Sequence, residues 1–433
     1  MTADFHFLCY NNIMDENKRF VTGLDVGSEN VRAVIATVSK DGEFSVVGYN
    51  EGKSAGMRKG IPANLTGPAA SIDKMLGDAE RMGGVDVRSA YVSINGSTVM
   101  STMTKGMIAV GAMEHEINIE DLDRVEDVAV SGSLETNRKV LDVVPLEYAL
   151  DGQGGIKDPL GMSGARLEMR ACVVSALAPN VENLKKATLT ADVKAERLIP
   201  TTVAAAKAVL TERQKENGVA VVDFGASTTG VAIYEEGDLQ YTGVVPIGSN
   251  NITNDLAIVL AIEPELAEEI KTRFITGDFE TEKSIAIKIG SKNAERTFDR
   301  KEVEDVVKAR LTEIFEEVRK KLKAAKYDQR LPEGIILVGA GAKMRDIEKF
   351  AKSVLEAAVK IGVPAGLNGV AEAVQKPEYA VAVGLAMLAA EDNNAGSAGA
   401  GSGKKASPFK KKSSGKSTGA KKTSFLKKIF SKF

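Results

Sequence analysis

The chain has 433 residues, of which 43% are hydrophobic and 27% are charged. This length and composition predict a soluble globular protein with a large core, and they exclude a single small domain. The sequence has no apolar run of about 18 residues, so no membrane span is predicted, and its start does not have the pattern of a signal peptide. The two cysteines (Cys9 and Cys172) and the two histidines (His6 and His115) lack the spacing of a disulfide framework or a zinc site.

The formal net charge of −2 hides an asymmetry along the chain. Eleven lysines and no acidic residue follow Asp392, so residues 1–392 carry −13 and the tail carries +11. A basic tail on an acidic body predicts an anionic partner, either a membrane surface or a nucleic acid.

Residues 1–18 show no periodicity and are predicted to be a flexible arm, in which Met14 is an alternative to Met1 as the true start. The folded part is expected to begin at Arg19, with strands Phe20–Val26, Val31–Ser39 and Phe44–Tyr49 and a helix Asn64–Met82.

The first strand leads into a short polar turn that contains Asp25, Gly27, Ser28 and Asn30. Small residues let the backbone approach a phosphate, and their N–H and hydroxyl groups can bond to its oxygens. A carboxylate beside such a turn would act through Mg²⁺ and the waters that the ion carries. One hairpin of this kind is also compatible with an ordinary polar turn.

The same pattern recurs in the middle of the chain, where strand Val219–Val222 runs into Asp223 and strand Gly230–Tyr234 follows. The turn between them contains Gly225, Ala226, Ser227 and Thr228. Two similar halves that each offer a phosphate turn predict a duplicated fold with a nucleotide held between them.

A third glycine-rich turn, with Gly339 and Gly341, follows the apolar segment Gly334–Val338. The three turns, in this order, resemble the first phosphate loop, the second phosphate loop and the adenosine loop of the actin, hexokinase and heat-shock chaperone ATPase superfamily. The resemblance implies an α/β, actin-like (ribonuclease-H-like), duplicated two-domain ATPase fold. It also implies ATP and Mg²⁺ as cofactors, with Asp25 and Asp223 holding the ion through water.

Residues 85–176 are predicted to form a small α+β unit with no acid, base or nucleophile arrangement. Its strands are expected at Ala90–Ile94, Ser101–Val110 and Asn137–Ala149, with a helix at Ile119–Ser131. Segments Val144–Asp151 and Gly155–Leu167 resemble the inserted subdomain of FtsA, the actin-like family of bacterial cell-division proteins. In that family the insert makes longitudinal contacts between protomers and contacts late division proteins.

Helix Val181–Ala191 and strand Ala195–Ile199 are expected to follow the insert, and then Pro200–Leu210 resembles the first connecting helix of the superfamily. Relatives commonly place an acidic residue or a glutamine at its start to orient the attacking water. This chain has Thr201 and Thr202 there. Because a hydroxyl is a poor substitute for a carboxylate in that role, we expect ATP binding with at most slow turnover.

Further residues are predicted to line the nucleotide site or a partner surface. Gly248, a candidate nucleotide contact, lies in the segment that leads into a predicted helix. Glu268 and Lys271, three apart on one helix, fit either a solvated ion pair or, by the resemblance, the pair that holds ribose and adenine. Helix Arg300–Lys326 lies in the region that in FtsA binds the C-terminal peptide of the tubulin-like GTPase FtsZ, so Arg300, Lys308 and Arg310 are candidate contacts. A helix is also expected at Asp346–Val359, and Glu378–Leu388 resembles the second connecting helix.

The last ten residues are predicted to form an amphipathic helix after a disordered linker. Its apolar side comprises Phe425, Leu426, Ile429, Phe430 and Phe433, and its polar side carries Lys427, Lys428 and Lys432. A helix with apolar and basic sides suits the membrane interface better than nucleic acid, since nucleic acid would explain only the lysines.

The resemblance divides the chain into an arm (1–18), subdomain 1A (19–87 and 169–213), the insert 1C (88–168), subdomain 2A (214–249 and 331–390), subdomain 2B (250–330), a basic linker (391–423) and the tail helix (424–433). It implies an actin-like ATP-binding protein that polymerises and tethers FtsZ filaments to the inner membrane face. Two alternatives share the fold: an actin-like pilus-assembly protein, and a sugar or acetate kinase.

Overall fold

The computed structural model describes residues 18–111, 115–132, 135–276, 284–289 and 294–398. Most of the predicted arm, residues 399–423 of the predicted linker and the whole predicted tail helix lie outside these ranges. The candidate membrane contacts Phe425, Leu426, Lys427, Lys428, Ile429, Phe430, Lys432 and Phe433 therefore lie outside the described residues.

The N-terminal half and its insert contain eleven strands and five helices within the described residues. In chain order they are β1 (Lys18–Val26), β2 (Asn30–Ser39), β3 (Phe44–Lys53), β4 (Met57–Arg58), β5 (Ile61–Pro62), α1 (Thr66–Gly83), β6 (Ser89–Ile94), β7 (Met100–Ala109), α2 (Ile119–Ser131), β8 (Arg138–Leu150), β9 (Gln153–Ile156), β10 (Arg166–Leu177), α3 (Ala178–Thr190), β11 (Lys194–Pro200), α4 (Thr201–Val209) and α5 (Glu212–Asn217).

The C-terminal half continues with strands, helices and two short 3₁₀ helices at Ala340–Lys343 and Pro377–Tyr379. Its remaining elements are β12 (Val219–Phe224), β13 (Thr229–Glu235), β14 (Asp238–Val245), α6 (Asn250–Val259), α7 (Pro264–Thr276), β15 (Ser284–Ile289), β16 (Ala294–Asp299), α8 (Arg300–Ala324), β17 (Ile335–Val338), α9 (Ile347–Leu355), β18 (Val359–Ile361), β19 (Asn368–Gly369), α10 (Ala371–Val374) and α11 (Ala380–Ala398).

The two halves repeat one sheet topology. In the first, the order is β11-β6-β1-β2-β3, and in the second it is β18-β17-β12-β13-β14. The first three strands of each half pair antiparallel, while the two that follow a helix pair parallel. The apolar runs in β2 and β12 are buried almost throughout, as expected for central strands covered on both faces. The duplicated α/β fold predicted from the two hairpins is therefore confirmed.

Helices α4 and α11 pack against each other between the halves, and small residues allow the close approach. A Cβ atom on Gly384 would lie 1.7 Å from the carbonyl oxygen of Ala204, and one on Gly23 would lie 2.0 Å from that of Ala382. The alanines of α4 are buried and leave almost no side-chain volume between the helices. This contact brings the N-terminus of α4 close to the ends of β12 and β13.

The insert is an α+β unit with its own apolar core, formed by β7, α2, β8, β9 and β10. Helix α2 has the predicted bounds, and an Asn118–Asp121 capping box begins it. Strand β6, inside the predicted insert 88–168, pairs with β1 and β11 instead, while β10 continues to Leu177. The bridge between Gly243 and Met100 joins β14 to β7, so the insert extends the second sheet.

Two helices end more than three residues away from their predicted ends. Helix α9 ends at Leu355, because Glu356 adopts a left-handed conformation with φ of 54°, and Val359 begins β18. Helix α11 continues to Ala398, eight residues into the segment predicted as linker. Asp392, early in this continuation, is bonded to the first half, since Tyr91 Oη donates to Asp392 Oδ2 over 2.8 Å and Arg197 pairs with the same carboxylate.

Candidate functional site

The two predicted phosphate turns have the same geometry. In the first, Gly27 N donates to Asn30 O over 3.0 Å, and in the second, Gly225 N donates to Thr228 O over 3.0 Å. Each turn closes an antiparallel hairpin whose penultimate strand residue is the aspartate, Asp25 or Asp223. The structure thus places the two carboxylates at equivalent positions of the two halves.

The glycines of these turns are needed because the backbone folds back on itself. A Cβ atom on Gly27 would lie 2.6 Å from Asn30 O, and one on Gly225 would lie 2.9 Å from Thr228 O. Gly248 belongs to the same site, since its Cβ would lie 2.5 Å from Ala226 O. Asn250 N donates to that same oxygen over 2.7 Å, which fixes the start of α6 against the second turn.

Asp25 and Asp223 are both buried, and they affect each other. Burial raises the pKa of Asp25, against the opposing effects of Arg32 and of Ser93, whose hydroxyl donates to Asp25 Oδ1 over 2.8 Å. Burial has the largest effect on Asp223, and the negative charge of Asp25 adds to it. Together they raise the pKa of Asp223 to about 6, although a hydrogen bond from the Thr201 side chain opposes this. Two buried carboxylates that repel each other form a donor set for a hard cation, which fits Mg²⁺.

The third turn lies directly against the end of β12. Gly339 has a φ of 87°, and its Cβ would lie 2.7 Å from Asp223 Oδ1. A Cβ on Gly341 would lie 2.4 Å from the ring of Phe224. Gly339 therefore allows the turn to approach the Asp223 carboxylate, and Gly341 allows it to lie against the Phe224 ring, more closely than a side chain at either position would permit.

The ion pair between Glu268 and Lys271 is not fully solvated, because its lysine is buried. Lys271 is 5% exposed, and its Nζ lies 2.6 Å from Glu268 Oε2 and 2.9 Å from Thr253 Oγ1. The Lys271 charge also helps to lower the pKa of Glu29 in the first turn. Lys271 therefore lies close enough to the first turn to influence its charge.

The remaining predicted turn residues have varied partners. Ser28 Oγ accepts a hydrogen bond from Gly60 N over 2.8 Å, and Asn30 Nδ2 donates to Glu51 Oε1 over 2.9 Å within the first half. Thr228 is buried, and its hydroxyl accepts from Asn95 Nδ2 of the first half over 3.0 Å. Ala226 and Ser227 lie at the tip of the second turn and are partly exposed.

The structure adds residues to this site that the sequence reasoning did not select. Ser93 and Asn95 lie at the end of β6, which is the parallel neighbour of β1, and Asn250 lies at the start of α6. A polar residue directly after a buried strand is the only sequence signal that points to Asn95. No local pattern distinguished Asn250 from its neighbours.

The three candidate FtsZ contacts lie on α8 and differ in their surroundings. Arg310 makes a double contact with Asp255 on α6, with Nε to Oδ2 at 2.6 Å and Nη2 to Oδ1 at 2.9 Å. Lys308 is half exposed and pairs with Glu304 one turn earlier. Arg300 is the first residue of the helix. The predicted inner face of α8 is buried as expected.

Comparisons with known proteins agree with this arrangement. The family model described as "Cell division protein FtsA" matches residues 220–384, and the one described as "SHS2 domain inserted in FTSA" matches residues 96–175. A Cell division protein FtsA of Pseudomonas aeruginosa is 33% identical over 387 residues, which cover 88% of this chain and 92% of that protein. One of Borreliella burgdorferi is 31% identical and covers 86% of this chain and 91% of that protein.

The structure of a PilM–PilN type IV pilus biogenesis complex shares the fold, with a TM-score of 0.64 and 16% identity over 86% of this chain and 98% of the matched chain. No helix within the described ranges is long and apolar enough to span a bilayer. The repeated sheets, the insert and the matched relatives together show that the chain belongs to the FtsA family of actin-like cell-division proteins.

Proposed function

We propose that the cleft between the two halves binds ATP with Mg²⁺. The observation that supports this most strongly is the equivalent placement of two glycine turns, each beside a buried aspartate. A bound Mg²⁺ would be held by Asp25 and Asp223 through water and would neutralise phosphate charge. The turn amides and the hydroxyls of Ser28, Ser227 and Thr228 would bond to phosphate oxygens.

The adenosine part would lie toward the second half. Gly339 and Gly341 would allow backbone contact with the base and α-phosphate, and Glu268 with Lys271 would hold ribose and adenine. Titration of the protein with ATP in a calorimeter, with and without Mg²⁺, tests the proposal. Asp223→Ala should abolish binding in a folded protein and Asp25→Ala should weaken it, whereas unchanged affinity in the folded Asp223 variant would contradict the site.

Turnover at this site is expected to be slow. The hydroxyl of Thr201 bonds to Asp223, and the Thr202 hydroxyl lies 3.0 Å from that of Thr242. Both side chains are buried and neutral, so neither can act as a base toward a water in line with the γ-phosphate. The proposal is therefore an ATP-binding protein with at most slow ATPase activity.

The family membership supports a role in tethering FtsZ filaments. We propose that the protein polymerises at the cytoplasmic face of the membrane, joins FtsZ filaments to it as a peripheral protein, and helps to assemble the division ring. Self-association through the insert and binding of late division proteins there are part of the same proposal. The tail residues 424–433 would supply the membrane contact through their apolar and basic sides.

The FtsZ peptide is proposed to bind in subdomain 2B, near Arg300 and Lys308. Arg310 is the weakest of the three candidates, because Asp255 already occupies its guanidinium group. Co-sedimentation tests the whole proposal: FtsZ filaments should pellet with anionic liposomes only when this protein is present. The pilus-assembly and kinase alternatives predict no recruitment of FtsZ.

A further inference from the structure

Two hydrogen bonds join the two halves at the phosphate turns. Asn95 Nδ2 of the first half donates to Thr228 Oγ1 of the second turn over 3.0 Å. Asn250 Nδ2 of the second half donates to Glu29 Oε2 of the first turn over 3.1 Å. Each turn is thus bonded to an asparagine of the opposite half, at the place proposed for the phosphates.

Glu29 is an unexpected residue at this position. The second turn, Gly225–Thr228, carries no charge, whereas the first carries a carboxylate where an anionic ligand is expected. Glu29 Oε1 lies 2.6 Å from Lys53 Nζ, and its side chain is 42% exposed. Burial opposes ionisation, but the hydrogen bonds from Lys53 and Asn250 and the charges of Lys53 and Lys271 outweigh it and lower the pKa of Glu29. The group is therefore an anion at neutral pH.

We propose that the Glu29 carboxylate closes the nucleotide-free cleft by accepting the Asn250 hydrogen bond, and that the phosphates of a nucleotide displace it. The inference rests on the ATP site proposed above. A phosphate group in the first turn would repel the carboxylate, and phosphate oxygens are strong acceptors for an amide donor. The 78%-exposed Lys53 side chain can follow Glu29 outward and keep its charge paired.

The displacement has a measurable consequence for affinity. Glu29 opposes binding, and it opposes ATP more than ADP, because ATP brings one more charged phosphate into the cleft. The residue would therefore reduce the preference for ATP over ADP, and it would keep the two halves together when no nucleotide is bound.

The test compares three single variants of the full-length protein with the parent. Glu29→Gln removes the charge but keeps an acceptor for Asn250. Asn250→Ala removes the hydrogen bond but keeps the charge. Glu43→Gln is the matched control, since Glu43 is exposed near the other end of β2, about 30 Å along the strand. Binding of Mg²⁺-ATP and Mg²⁺-ADP is measured by calorimetry, and hydrogen exchange of residues 27–30 is measured without nucleotide.

Glu29→Gln should bind ATP roughly five-fold more tightly than the parent, with a smaller gain for ADP, as expected for loss of a half-exposed like charge. Asn250→Ala should increase exchange in residues 27–30, and Glu43→Gln should match the parent in both assays. Equal ATP affinity of Glu29→Gln and the parent would overturn the displacement while leaving the ATP site standing. Unchanged exchange in Asn250→Ala would overturn the closing role, and a parent that binds no ATP would overturn the ATP site itself.

Discussion

Asp223→Asn changes one buried charge at the centre of the proposed site and keeps the shape of the side chain. Asp223 is 7% exposed, and burial together with Asp25 raises its pKa from an ordinary 3.8 to about 6. The shift means that the folded state favours the protonated form over the ionised form by about 3 kcal/mol more than the unfolded state does. The asparagine removes the charge and can still accept the hydrogen bond from Thr201.

The sign follows from the raised pKa. The folded state binds the Asp223 proton more tightly than the unfolded state, so this stabilisation is complete below pH 3.8 and disappears as the pH rises through about 6. At pH 8 the parent must bury an ionised carboxylate, whereas the variant buries a neutral amide. We expect the variant to have a free energy of unfolding up to about 3 kcal/mol higher at pH 8, and the advantage to shrink toward pH 4.5.

The assay is urea unfolding of both proteins without Mg²⁺ or nucleotide at pH 4.5 and pH 8, followed by circular dichroism. Asp73→Asn is a suitable control, because Asp73 is exposed on α1. Mg²⁺-ATP should then stabilise the parent and the control but not the Asp223 variant. Equal stability of variant and parent at pH 8, or a gain that does not depend on pH, would refute the reasoning about the buried charge.

Three further predictions concern turnover, the tail and the helix contact. Purified protein should hydrolyse ATP well below the ~10 s⁻¹ typical of enzymes, and a phosphate-release assay that finds a rate in that range would show that another group orients the water. The double change Ile429→Ser and Phe430→Ser keeps every lysine but should greatly reduce co-sedimentation with anionic liposomes at physiological salt; parental binding would contradict the membrane anchor. Gly384→Ala should lower the free energy of unfolding by about 1–3 kcal/mol or prevent folding, because its Cβ would overlap Ala204 O, whereas Gly77→Ala in α1 has room and should be tolerated; equal urea midpoints for the two variants would contradict the close packing.

Local patterns were sufficient for the hairpins of the site. The apolar runs before Asp25 and Asp223 are buried strands, and the small residues that follow allow the tight turns, so both carboxylates could be selected from sequence. The same reasoning identifies helix α2 and the buried face of α8, since apolar spacing acts within a few residues.

Local sequence patterns do not predict contacts between distant segments. Asn95 and Thr228 are 133 residues apart and Asn250 and Glu29 are 221 apart, so only the fold reveals that each pair joins the two halves. The sequence shows Arg310 as a basic residue on a helix, but its partner Asp255 lies on another element. The end of α9 was missed because it depends on the left-handed backbone of Glu356, a conformation that its residue type does not favour.

Assembly on a lipid monolayer tests the central claim most directly, because it requires nucleotide binding, self-association and membrane contact together. The parent, with Mg²⁺-ATP on a monolayer that contains anionic lipid, should form filaments visible by electron microscopy, and folded Asp223→Ala should form none. Filaments that are equally abundant with the Asp223 variant, or no filaments of the parent at any nucleotide concentration, would contradict an ATP-dependent membrane polymer.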